Sequence, residues 1–247
     1  MRCVELFGVK LNLVKRDELL KICELTLDEG KPIRLFAINP IKISKSHSNE
    51  KLRKILNGGD INFCDGKGVC YALKILCGEK IERFPGFELL FCLLEIANRK
   101  EKSVFFIGNR EESIKKGIEK LKKKYPDVKF MGYLNGYFKK EELDVLIEKF
   151  KKNPPDILFV GMGAFLQEKW IIYITERVKI PISIGIGGSV DVISGFSPRA
   201  PKFLCDIGLE WLYRLIRQPK RIKVMIHLPI FAFMVFKEKI RRRKVKC

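Results

Sequence analysis

Residues 103–186 read SVFFIGNREESIKKGIEKLKKKYPDVKFMGYLNGYFKKEELDVLIEKFKKNPPDILFVGMGAFLQEKWIIYITERVKIPISIGI. Short apolar runs at 104–107, 128–133, 157–162 and 182–186 alternate with segments at 112–124, 141–152 and 167–178 whose apolar residues recur at helical spacing. A short unbroken apolar run fits a strand buried on both faces, and a period near 3.6 fits a helix with one buried stripe. Strand and helix in alternation predict a parallel sheet covered by helices on both faces.

Upstream the same rhythm continues more loosely. Strands are expected at 3–7, 33–38 and 61–64, with helices at 17–28 and at 48–56, the latter capped by Ser48. Ligands of open α/β sheets sit at the carboxyl ends of the strands. Those ends carry Asn39 before Pro40, Asp65 before Gly66-Lys67-Gly68, and Gly185, Gly187 and Gly188 before Asp191. Gly161-Met162-Gly163 also follows a strand, but Leu166 occupies the third glycine position of a dinucleotide fingerprint, which excludes NAD. The fold class expected is α/β, a mostly parallel Rossmann-like sheet flanked by helices, with a helical basic C-terminal appendage. The boundary falls between a catalytic domain at 1–210 and an appendage at 211–247.

The chain has 247 residues, 47% of them hydrophobic, and a formal charge of +20. Such a charge calls for an anionic partner. Residues 211–247 hold twelve Lys/Arg against the single acid Glu238. Charge so concentrated, with no recognition helix or RNA-binding motif, argues against nucleic acid and for an anionic membrane surface. The apolar run 224–236 is broken by His227 and Pro229 and is shorter than the ~20 residues of a spanning helix, so it is expected to lie on a membrane rather than cross it. The N-terminus lacks the continuous apolar run of a signal peptide. Eight cysteines without a C-x-x-C pair, and only His47 and His227, predict reduced thiols in a cytosolic protein and no zinc site.

Several segments carry a resemblance. Asp65-Gly66-Lys67-Gly68-Val69 resembles a DGxGV motif, and Arg83-Phe84-Pro85-Gly86-Phe87-Glu88-Leu89 resembles R-x-x-G-x-[DE]-L. GMGAFLQEKW at 161–170 resembles G-x-G-x-P-x-Q-E-x-W, with Phe165 and Leu166 in place of Pro-Lys. GGSVDVISG at 187–195, followed by RAP and GLEWLYRL, completes a set similar to the WecG/TagA/CpsF glycosyltransferases, across roughly residues 5–221. The resemblance implies inverting transfer of a hexosamine, N-acetylmannosamine or a relative, from a UDP-sugar to a polyprenyl-diphosphate-linked GlcNAc on the cytoplasmic membrane face. The product would feed teichoic acid, capsule or exopolysaccharide synthesis.

That chemistry needs a base for the attacking hydroxyl and compensation for the departing UDP. Asp65 is the expected catalytic base. Arg83, Arg214 and Arg221 are expected to neutralise phosphate, and Asn39, Gln167 and Asp191 to hold nucleotide or sugar by hydrogen bonds. No D-x-D sequence occurs, so arginine is expected in place of a bridging metal, with no cofactor. Two departures stand out: Ala37 where several members carry a polar residue, and Val224 where a further arginine is expected. Homo-oligomerisation stays open, as do three readings without catalysis: a nucleic-acid binder, a membrane adaptor and, given Ala37, an inactive family member.

Overall fold

The buried apolar runs make the sheet. In the computed structural model, which describes residues 1–245, β3 (Ile33–Ile38), β4 (Ile61–Cys64), β5 (Ser103–Gly108), β6 (Lys129–Leu134), β7 (Ile157–Gly161) and β8 (Ile182–Gly185) form six strands in the order β4-β3-β8-β7-β5-β6. Every pairing in it is parallel. Side chains alternate between two cores, as the strand period of two requires. Leu35, Ala37, Phe106 and Phe159 face one, while Phe36, Ile38, Ile107 and Leu158 face the other. The first core is closed by α1 (Arg16–Glu29), α5 (Gly86–Arg99), α6 (Glu111–Lys124) and α9 (Ser189–Ser194). The second is closed by α2 (Pro40–His47), α3 (Glu50–Asn57), α4 (Lys67–Cys77), α7 (Lys140–Lys152) and α8 (Leu166–Thr175). The expected α/β sheet flanked by helices is the fold observed.

Three local readings are corrected. Residues 3–7 do not form a lone strand: β1 (Cys3–Leu6) pairs antiparallel with β2 (Val9–Asn12) around Phe7 and Gly8, both left-handed at φ 54° and 83°. Non-glycine residues rarely adopt that region, which is why Phe7 hid the turn. Likewise Asn39-Pro40 is not only a turn. Asn39 accepts a hydrogen bond from the Lys42 amide (3.1 Å) as the N-cap of α2, and Pro40 takes the first helical position, where its missing N–H costs no intrahelical bond. The next helix is capped by Asn49, whose side chain accepts from the Leu52 amide at 3.1 Å, and not by Ser48.

After β8 the chain runs through α10 (Lys202–Ile207), α11 (Glu210–Arg217), a 3-10 turn (Pro219–Arg221), α12 (Ile222–Met225) and α13 (His227–Val245). The apolar run begins in α12 and from His227 continues through α13, which Pro229 does not break because it falls in the first turn of the helix. Phe231 and Val235 are buried against α2 and α4, and His227 Nδ1 lies 3.0 Å from Ser44 Oγ of α2. Burying two such side chains contributes about 3–6 kcal/mol. The Phe7 ring meets both His47 and Phe231 edge to face, at 5.6 and 6.1 Å. Among the described residues no helix is long and apolar enough to cross a membrane.

Candidate active site

Strands β4, β3 and β8 are neighbours, so the residues at their carboxyl ends converge. They open into a cavity of about 1010 Å³ that contains Asn39, Lys42, Asp65, Arg83, Gln167 and the 185–189 loop on its polar side. Its other side is apolar and comes from Tyr71 and Ile75 of α4 and from Met225, Leu228, Phe231 and Val235 near the C-terminus. Four of the residues expected from the sequence are therefore together: Asn39, Asp65, Arg83 and Gln167.

Asp65 extends the β3–β4 ladder, its amide donating to Ile38 O at 3.0 Å, and its Oδ1 accepts from the Gly86 amide at 2.9 Å. Burial pushes its carboxyl above the ordinary carboxylate range. The Gly86 N–H and the positive charges of Lys42 and Arg83 oppose that rise, and Glu210 adds to it. A carboxylate so placed is a stronger base than one in water. The glycines after it serve packing, since a Cβ on Gly66 or Gly68 would come within 2.7 Å of Pro40. Their absent side chains let α4 start against α2 and bring Asp65 into the cavity.

Gln167 reaches the site in an unexpected role. Only 3% exposed, it donates from Nε2 to Glu168 Oε1 at 2.8 Å and accepts at Oε1 from the Gly187 amide at 2.9 Å. A side chain on Gly185 would overlap its amide. Gln167 thus shapes the glycine loop from beneath. Asn39 also lines the cavity while its oxygen caps α2. Asp191 is outside the cavity lining: Ser113 of α6 donates to its Oδ1 at 2.6 Å, tying α9 to α6. Arg221 closes the 3-10 turn half-buried and is likewise not among the lining residues. The side chain of Arg214 lies outside the described residues, as do Lys246 and Cys247.

The sequence reading did not assign Lys42, Lys67, Glu168, Arg199 or Glu210. All but Glu168 line the cavity. Lys42 and Glu168 form an ion pair at 2.7 Å with side chains 3% and 0% exposed. Arg199 stacks its guanidinium on Phe87, 4.3 Å from the ring centre, at the cavity wall. Its place in the Arg199-Ala200-Pro201 motif was the available signal. Lys67, Arg83 and Arg199 line the cavity along with the acids Asp65, Glu88 and Glu210, and are groups suited to a phosphorylated ligand.

The description "Glycosyl transferase WecG/TagA/CpsF family" matches residues 4–245. The chain belongs to this family. Among its curated relatives, "N-acetylglucosaminyldiphosphoundecaprenol N-acetyl-beta-D-mannosaminyltransferase" of Bacillus subtilis (strain 168) is 34% identical over 189 residues, covering 76% of this chain and 73% of the relative. The protein of the same name from Bacillus spizizenii is 32% identical over 211 residues, 85% of this chain and 81% of the relative. That from Staphylococcus aureus (strain MW2) is 30% identical over 208 residues, 84% and 81%. As a family member, this chain is a glycosyltransferase, and Asp65, Arg83, Gln167, Gly187 and Gly188 of the motifs quoted above line the cavity.

Proposed function

We propose that the protein transfers N-acetylmannosamine, or a closely related hexosamine, with inversion from a UDP-sugar to the GlcNAc of a polyprenyl-diphosphate-linked acceptor, at the cytoplasmic membrane face, in cell-surface polymer synthesis. The observation that carries this reading is Asp65, a part-buried carboxylate at the end of β4 that lines a cavity also holding cationic side chains, its proton affinity raised by desolvation. Asp65 takes the proton of the acceptor hydroxyl as that oxygen bonds to the sugar carbon and the bond from sugar to UDP breaks. Arg83, Lys67 and Arg199 are the described cations on hand for the negative charge gathering on the departing diphosphate. Arg214 and Arg221 keep the same proposed role, and Asn39 and Asp191 a supporting one around the donor. The test is incubation with a panel of UDP-sugars and a synthetic lipid-diphosphate-GlcNAc. One product heavier by a single hexosamine is expected; no product with any donor overturns the reading.

Two further results are expected. Transfer survives EDTA, because lysine and arginine supply the positive charge; abolition by chelation with rescue by Mg²⁺ or Mn²⁺ would sink that assignment. The acid limb of kcat/KM lies above the ordinary carboxylate range, since Asp65 must be ionised to act and burial raises its carboxyl. A pH series locates it, and a limb at the pKa of a solvated carboxylate would rule Asp65 out as its origin.

The membrane part rests on α13. Ile226, Ile230, Phe233 and Ile240 are 52%, 42%, 65% and 40% exposed. At 100° per residue they share one stripe, on the side opposite the buried Phe231 and Val235. Lys237, Lys239 and Arg241 follow on the same helix. An apolar stripe flanked by basic residues fits an anionic leaflet, each basic group adding about 1 kcal/mol.

A further inference from the structure

Lys42 and Glu168 are 126 positions apart in sequence and sealed from water together. The Lys42 ammonium donates to Glu168 Oε1 at 2.7 Å and to the Ala37 carbonyl, at the end of β3, at 2.6 Å. Glu168 Oε2 accepts from the Phe165 amide at 2.6 Å, holding Phe165 at a left-handed φ of 69° that a non-glycine residue rarely adopts. Through Gln167 the path continues to the Gly187 amide. One connected chain of polar contacts therefore joins the carboxyl ends of β3, β7 and β8, under the glycine loop.

Stability does not account for this pair. Desolvating two charges is costly, and an apolar pair of equal volume often serves a fold as well or better. The pair also sits beside the reacting groups, with Lys42 in the cavity wall. The charges that act on Asp65 are Lys42 from α2, Glu210 from α11 and Arg83 from the segment before α5, while Lys67 from α4, Glu88 from α5 and Arg199 line the same cavity. Lys67 and Arg83 are partly exposed, so water and salt weaken their fields. Lys42 is 3% exposed, and its charge acts on Asp65 with little screening.

We propose that Lys42 is a positioning residue with two linked tasks: with Glu168 and Gln167 it fixes the glycine loop for the donor, and its buried charge keeps Asp65 ionised for proton abstraction. The second task rests on Asp65 being the base. The pair thus couples loop geometry to the state of the base, although neither Lys42 nor Glu168 needs to touch the reacting atoms.

The experiment compares Lys42→Met, Glu168→Gln and Asp65→Asn in the full chain, following kcat and donor KM across pH with thermal melts alongside. In Lys42→Met the acid limb of kcat/KM should rise by about one pH unit, the size expected for losing one nearby opposite charge, and donor KM should rise as well. In Glu168→Gln donor KM should rise while the acid limb does not, because the lysine keeps its charge. Should Lys42→Met fail to fold, the double variant Lys42→Met/Glu168→Gln leaves no unpaired buried charge and should show the same upward shift. An unmoved limb in the folded Lys42 variant, with Asp65→Asn inactive, overturns the role of Lys42. An active Asp65→Asn overturns the base assignment, and the proposal with it.

Discussion

Asp65→Asn is expected to transfer sugar about 10²- to 10⁴-fold more slowly than the unaltered protein, the range for removal of a general base. The loss should appear in kcat with donor affinity little changed, because Asp65 is assigned to the acceptor hydroxyl. Stability should move the other way. Burial raises the Asp65 carboxyl in the folded state, so its contribution is fully present below the unfolded pKa and fades as pH rises through the higher folded value. Above that window the ionised group weighs against folding. An asparagine retains an oxygen for the Gly86 amide without the charge, so the melting temperature near pH 7–8 should equal or exceed that of the parent. A folded Asp65→Asn protein with near-normal turnover would remove Asp65 from the mechanism. A sharply lower melting temperature at pH 8 would contradict the burial argument instead.

Truncation after Gln218 is the second large effect. It removes Met225, Leu228, Phe231 and Val235 from the cavity wall, the exposed stripe from Ile226 to Ile240, and Arg221. Loss of one group stabilising transition-state charge costs on the order of 10²-fold, so transfer should fall at least that far, and sedimentation with anionic liposomes should disappear with it. The exposed pair Ile230→Ser/Phe233→Ser separates the two losses. These side chains point away from α2 and α4, so this variant should lose liposome binding yet still use a short-chain, water-soluble acceptor. A truncated protein that still sediments with liposomes would end the membrane assignment of α13. Full-rate transfer by it would end the claim that the C-terminal helices complete the site.

What could be read in advance follows from the range of each signal. The apolar runs at 33–38 and 61–64 coincide with β3 and β4 because strands buried on both faces are legible from a few adjacent residues. Asn39, Asp65 and the glycine loop could each be placed at a strand end, but their meeting depends on β3 lying between β4 and β8, an order fixed by packing. The family motifs drew attention to Gln167, which lines the cavity, but not to the way its amide spans Glu168 and Gly187. Lys42 was illegible for another reason. In the α2 sequence PIKISKSH, Lys42 and Lys45 look alike, and only the distant Glu168 makes one of them turn inward. Asp191 was legible as a polar residue in a glycine-rich motif, but not its contact with Ser113 of a neighbouring helix, 78 positions away in sequence.

The contact of Phe7 with Phe231 joins the first hairpin to the last helix. On a ribosome delivering about 5–20 residues per second, the N-terminal hairpin and the sheet emerge well before α13. Until then Phe7 and the apolar surfaces of α2 and α4 lack their partner, and the polar side of the cavity faces water. The order of synthesis therefore makes closure of the cavity a late step, so that a nascent chain carries Asn39, Asp65, Arg83 and Gln167 before it has the apolar wall that encloses them.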